Sequence, residues 1–135
     1  MPLVRGDLER LQEVFLNLFI NAYHAMMGKR NRRIRVTAEM DTENIHNVAV
    51  HFTDNGCGMT EEVMKKIFNY GFTTKPPGRG SGMGLYMCKY IIELHGGDIR
   101  VRSKVGEGAT FTITLPAYEE GMGEGGGAMR IEATS

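Results

Sequence analysis

Apolar positions in residues 7–27 recur with a helical period. Asp7 can cap this segment, and Gly28 can end it. Ile34, Val36, Ala38 and Met40 alternate with polar residues, and Val48, Val50 and Phe52 do the same. Two strands joined through 41–46 make a hairpin. Thr60 can cap a short helix reaching Phe68. Residues 69–83 carry no apolar period and read as a long loop. A further helix is predicted from Gly84 to His95, stopped by Gly96-Gly97. Ile99, Val101 and Val105 mark a strand, and Phe111, Ile113 and Leu115 mark the last, stopped by Pro116. The order α-β-β-α-α-β-β predicts an α+β two-layer sandwich, with helices on one face of a mixed, mainly antiparallel sheet. It lacks the regular strand–helix alternation of a Rossmann fold.

The first helix departs from a plain amphipathic pattern. With Glu13 at zero and about 100° per residue, His24 falls at about 20°, Asn17 at about 40° and Asn21 at about 80°. Apolar side chains fill most of the remaining circumference, Leu16 and Ile20 among them. A helix apolar on most sides is expected to be largely buried. Its narrow polar window then needs partners, because unpaired amides are costly to bury. Neighbouring backbone is one solution. A magnesium–phosphate site is another, since magnesium takes oxygen ligands and retains waters.

Composition narrows the classes. The chain has 135 residues, which is one domain, with 16 basic and 16 acidic side chains. Zero net charge argues against a dedicated nucleic-acid binder. No apolar run is long enough to span a bilayer, and no direct membrane contact is expected. Two cysteines exclude a disulfide-rich scaffold and fit a reducing cytosol. Eighteen glycines are nearly twice the usual share of about 7%. Those from Gly121 to Gly127 lie in a segment, 118–135, expected to be a flexible tail behind a domain at 1–117.

The other glycines cluster with chemistry. Asp54-Asn55-Gly56-Cys57-Gly58-Met59 leaves a strand and turns. A buried carboxylate there can accept from an exocyclic amine, while glycines let backbone approach a ring. A plain turn explains the same residues. Gly78-Arg79-Gly80-Ser81-Gly82-Met83-Gly84-Leu85 runs into a helix start, where free N–H groups and the helix dipole attract phosphate. It is neither a Walker loop nor a dinucleotide fingerprint. Lys75 and Arg79 add positive charge, and the loop is a candidate lid. Gly106-Glu107-Gly108 reads as a tight turn.

Five segments in order resemble the signature boxes of the catalytic ATP-binding domain of bacterial sensor histidine kinases. They are Asn17-x-x-x-Asn21, Asp54-x-Gly56-x-Gly58, Ile67-Phe68-x-x-Gly71-Phe72-Thr73-Thr74-Lys75, Gly80-x-Gly82-x-Gly84-Leu85 and Gly106-x-Gly108-x-x-Phe111. That superfamily also includes DNA gyrase and the mismatch-repair ATPase MutL. The likeness covers residues 6–116.

It implies roles. Asn17 and Asn21 would hold magnesium and phosphate oxygens, with His24 near the phosphates. Glu13 would assist transfer, and Glu13 and Asn17 are the catalytic candidates. Asp54 would accept the adenine amine, with Gly56, Gly58 and Met59 beside the ring and Thr110 offering a hydroxyl. Phe68, Phe72, Thr74, Lys75 and Arg79 belong to the lid. Gly80, Ser81, Gly82, Met83, Gly84 and Leu85 would wrap the phosphates. Hydrolysing relatives carry a glutamate where Asn17 stands, and an amide is no general base. Slow hydrolysis and transfer of the γ-phosphate from Mg-ATP to a histidine are therefore implied.

The phosphoacceptor box and the helical dimerisation hairpin are absent from the sequence, and only Pro2 to Val4 remain of the strand before the first helix. The chain is expected to act in the cytoplasm, whether or not within a membrane-bound sensor, as a monomer. Its partner would be a separate dimerisation hairpin and, through it, a response regulator. It is not expected to phosphorylate itself. A free-standing serine kinase of anti-sigma-factor type and an ATP-sensing module without transfer are the alternatives.

Overall fold

A computed structural model describes residues 3–43, 46–72, 84–117 and 127–130, and among these described residues nine elements follow one another. For 3–6 and 127–130 it describes the backbone alone. They are β1 (Leu3–Gly6), α1 (Leu8–Ala25), β2 (Ile34–Met40), β3 (Asn47–Asp54), α2 (Glu61–Lys66), α3 (Gly84–Leu94), β4 (Asp98–Lys104), β5 (Gly108–Pro116) and β6 (Gly127–Arg130).

Strands β2 to β5 form one four-stranded sheet in the order β2-β3-β5-β4. Every pairing in it is antiparallel, so the sheet is not mixed. The alternation seen in the sequence sets its faces. Val48, Val50 and Phe52 on β3, and Phe111, Ile113 and Leu115 on β5, point to the helices and are buried. His51 and Thr112 share the opposite face, where His51 Nδ1 lies 2.9 Å from Thr112 Oγ1 and Nε2 lies 3.1 Å from Glu39 Oε1. Val105 is exposed in the turn after β4 rather than part of the strand.

The core joins those strands to Leu11, Val14 and Leu18 of α1, Cys88, Ile91 and Ile92 of α3, and Ile99 of β4. Each fully buried aliphatic side chain contributes about 1.5–3 kcal/mol. Phe15 of α1 stacks on Phe52 at 5.5 Å. Asp7 caps α1 by accepting the Arg10 N–H at 3.3 Å, and Thr60 caps α2 by accepting the Val63 N–H at 3.2 Å. His95 closes the far end of α3. Its Nδ1–H donates to Ile91 O at 2.7 Å, while Nε2 accepts the Asp7 N–H at 2.9 Å.

Two further expectations are corrected. The first is that α1 is largely buried. Leu16 is 59% exposed, and Phe19, Ile20 and Tyr23 are exposed as well. The helix layer is one helix thick. The second is that everything after residue 117 is tail. β6 pairs antiparallel with β1 in register Leu3↔Arg130 to Gly6↔Gly127. A lone β1 would present unpaired backbone groups, and β6 satisfies them. The rest of 118–135, the supposed Gly-rich tail, lies outside the described residues.

Candidate functional site

One rung of the sheet sets the floor of the site. Ile34, Asp54, Ala109 and Ser103 are register partners across β2, β3, β5 and β4. Asp54 continues the helix-facing row of Val48, Val50 and Phe52, so its carboxylate is turned inward and is 6% exposed. Its Oδ1 accepts the Gly56 N–H at 2.8 Å, and the carboxylate also receives the Ala109 N–H. Burial pushes the carboxyl above its ordinary value. Those two N–H groups and the Lys29 charge pull it partly back. A carboxylate has about four acceptor positions, so two remain for a ligand's donors.

Residues 55–59 are fastened on both sides. The Cys57 N–H donates to Ala25 O at the end of α1 at 2.9 Å, and the Gly106 N–H donates to Cys57 O at 2.7 Å. Gly56 and Gly58 are required by closeness. A Cβ on Gly56 would lie 2.5 Å from Ala25 O, and one on Gly58 would lie 1.9 Å from Lys104 O. Gly58 also has φ +72°, which disfavours any side chain. Met59 packs against the core, and its N–H donates to Ser103 Oγ at 2.8 Å.

The polar stripe of α1 starts at this loop. Asn21 is one turn before Ala25, and Asn17 one turn earlier. Both are half-buried, while Glu13 and His24 at the stripe's ends are exposed. Asn17 Oδ1 faces the first residue of α3, 3.4 Å from where a Cβ on Gly84 would sit. Its side chain also bonds the Cys88 thiol, which donates to Val14 O at 3.7 Å. Burial first, and the Glu13 charge, push that thiol up to about 12 despite the Asn17 bond. The Asn17 amide oxygen thus lies beside a helix N-terminus, whose N–H groups and dipole favour anions.

Among the described residues no group of three or more His, Cys, Asp or Glu side chains could cage a metal. A cation here would be held by asparagine oxygens together with ligand oxygens and water, a donor set that fits magnesium.

The remaining expected residues divide clearly. Phe68 packs on the core, edge-on to Phe111 at 6.2 Å, with Lys89 Nζ 5.5 Å from its ring centre. Leu85 packs against the core too. Phe72 is half-buried. Its N–H donates to Asn69 O at 3.1 Å. Thr74, Lys75, Arg79, Gly80, Ser81, Gly82 and Met83 lie outside the described residues. Thr110 is not brought to the site. Its Oγ1 pairs with Thr53 Oγ1 at 3.0 Å on the outer face of the sheet, and the residue facing inward at that level is Ala109. Alternation along β5 is the reason, since Phe111 points inward.

Two groups that bond the loop to its surroundings are not singled out by the sequence. Ser103 is one. Asn55 is the other: its Oδ1 accepts the Arg33 N–H at 2.9 Å, its Nδ2 donates to Asn31 O at 2.7 Å, and its carbonyl accepts from Lys29. Only its place directly after Asp54 hinted at this.

Residues 6–119 match the family described as histidine kinase-, DNA gyrase B-, and HSP90-like ATPase. The chain is 42% identical over 118 residues to the signal transduction histidine-protein kinase AtoS of Escherichia coli K12; the match covers 87% of this chain and 18% of AtoS. It is similar in structure to the catalytic domain of histidine kinase ThkA, with TM-score 0.69 and 35% identity, covering 84% of this chain and 70% of that one. A full-length ShkA structure in complex with AMPPNP matches with TM-score 0.73 and 25% identity, covering 87% of this chain and 23% of that one. The chain therefore spans about a fifth of its curated relative's length.

Proposed function

The chain belongs to the histidine kinase-, DNA gyrase B- and HSP90-like ATPase family, and from that premise we propose that it binds Mg-ATP and supplies the γ-phosphate to a histidine on a separate helical hairpin. The observation that carries this reading is the Asp54 carboxylate, buried at a strand end with two acceptor positions spare, at one end of the Asn21–Asn17 stripe. In this reading the spare positions accept the adenine amine. The ShkA structure was solved with an ATP analogue, which supports a nucleotide in the corresponding cleft.

Asn17 and Asn21 would hold the magnesium with the phosphates. The ion, when bound, neutralises charge on the transferring group. The residues supply position and fixed dipoles. Asn17 and the start of α3 hold phosphate oxygens, and the half-buried stripe limits water at the γ-phosphate. Asn17 cannot take a proton from water, so hydrolysis is slow and the phosphoryl group waits for an incoming imidazole. Glu13, exposed at the stripe's outer end, would receive that imidazole's proton. The carboxylate is the natural acceptor there, because each transfer releases one proton from the attacking ring.

The partners follow from the same reading: a dimerisation hairpin carrying the phosphoacceptor, then a response regulator. Cytoplasmic action suits an ATP-dependent transfer. No helix among the described residues is long and apolar enough to cross a membrane.

The test is to mix the chain with such a hairpin and ATP labelled at the γ-phosphate. Acid-labile, base-stable label on the hairpin's histidine is expected. Acid-stable label on a serine of a partner, or binding without transfer, contradicts the proposal.

A further inference from the structure

Ser103 is out of place by the logic of its strand. Ile99, Val101 and Ser103 form the helix-facing row of β4, and the first two pack in the core. The third position carries a hydroxyl beside the small, buried Ala109. That hydroxyl both accepts and donates. It accepts the Met59 N–H at 2.8 Å and donates to Gly108 O at 2.6 Å.

The two bonds tie three segments together. Met59 ends the loop that begins at Asp54. Gly108 starts the strand whose next N–H, that of Ala109, is given to the Asp54 carboxylate. Gly108 is also pressed against Asp54, since a Cβ there would lie 2.1 Å from Asp54 O. The far side of the loop is held at Ala25, but its near side meets β4 and β5 through Ser103 and through the Gly106–Cys57 bond. Without the hydroxyl, Met59 N–H and Gly108 O lose their partner, and buried polar groups are costly to leave unmade.

We propose that Ser103 is a positioning residue for base recognition: it fixes the loop from Gly56 to Met59 against β5 so that the Asp54 carboxylate presents its spare acceptor positions to the exocyclic amine. The inference rests on the reading of Asp54 as the adenine contact. Ser103 touches no ligand in it and acts only through Asp54 and Met59.

The consequence is base selectivity rather than general affinity. ATP offers an exocyclic amine to Asp54, whereas inosine triphosphate offers a carbonyl oxygen at the same position. The natural chain prefers ATP. A loosened Asp54 loses part of that preference, about fivefold if one well-aligned hydrogen bond is lost. If the hydroxyl served stability alone, its removal would lower the melting temperature and leave the ratio unchanged.

The experiment titrates the natural chain, Ser103→Ala, Ser103→Thr and Ser103→Cys with ATP and with inosine triphosphate, both with magnesium, by calorimetry below each variant's melting temperature. Ser103→Ala is expected to lower the ATP-to-inosine ratio about fivefold. Ser103→Thr, which keeps a hydroxyl on the strand, is expected to retain it. Should Ser103→Ala fail to fold, Ser103→Cys carries the test, because a thiol is a weak donor and acceptor. A folded Ala or Cys variant with the natural ratio overturns the proposal. A natural chain that binds neither nucleotide overturns the nucleotide reading beneath it, a result told apart by needing no variant.

Discussion

The side-chain oxygen of Asn17 stands 3.4 Å from the point where Gly84 would carry a Cβ. This nearness brings the polar stripe of α1 to the first residue of α3. It also separates stability from binding. A methyl group at Gly84 meets ordinary van der Waals distance and improves helix propensity by up to about 1 kcal/mol. It would, however, occupy the space where a phosphate meets the helix N-terminus. Gly84→Ala is therefore expected to leave the melting temperature unchanged or slightly higher and to weaken Mg-ATP binding at least tenfold, on the scale of about 1.4 kcal/mol. Thermal melts and calorimetry on the same sample check both halves.

Asp54 makes a pH prediction with two opposite signs. Burial raises its carboxyl above the ordinary value near 3.8 in the folded chain. Folding thus favours the protonated form. Its contribution to stability is present below the unfolded value and lost as pH rises through the folded one. Accepting an amine needs the ionised form. ATP affinity is thus expected to rise over that same interval while Asp54's share of stability falls. Titrations and denaturant melts from pH 4 to 7, on the natural chain and Asp54→Asn, separate this group from the rest. Affinity that falls as pH rises contradicts the assignment.

The two cysteines differ in the same structural terms. Cys57 is exposed on the loop after Asp54, and Cys88 is buried between α1 and α3 with its thiol pushed up to about 12. A maleimide is expected to modify one thiol in the native chain, Cys57, and both after unfolding. Saturating Mg-ATP is expected to slow the native reaction, because the loop carrying Cys57 frames the proposed base pocket. Mass spectrometry of digests identifies the modified residue. Rapid native labelling of Cys88 contradicts the packing.

Much of this was legible in the sequence, for reasons that are local. Alternation in 34–40 and 48–52 gave the hairpin because one face of that sheet is buried and the other is not. Asp7, Thr60, Gly28 and Gly96 marked helix ends through their own backbone preferences. Order and spacing of the glycine clusters carried the family. Thr110 shows the cost of matching a motif without counting faces. Phe111 shares one apolar row with Ile113 and Leu115 and is buried with them, so its neighbour points outward. The exposed side of α1 could not be read from periodicity, which reports apolar positions but not what covers them. Ser103, Asn55 and the β1–β6 pairing act between segments far apart in the chain. The bond from Asp7 to His95 spans 88 positions, and nothing local in either residue announces it.

Asp54 is proposed to read an adenine in a magnesium-dependent site. Calorimetric titration with ATP, with and without magnesium, on the natural chain, Asp54→Asn and Asn21→Ala tests it most directly. The natural chain is expected to bind Mg-ATP, Asp54→Asn to lose measurable binding while keeping its circular dichroism spectrum, and Asn21→Ala to lose the gain that magnesium gives. A folded Asp54→Asn chain that binds Mg-ATP as tightly as the natural one would contradict the account at its centre.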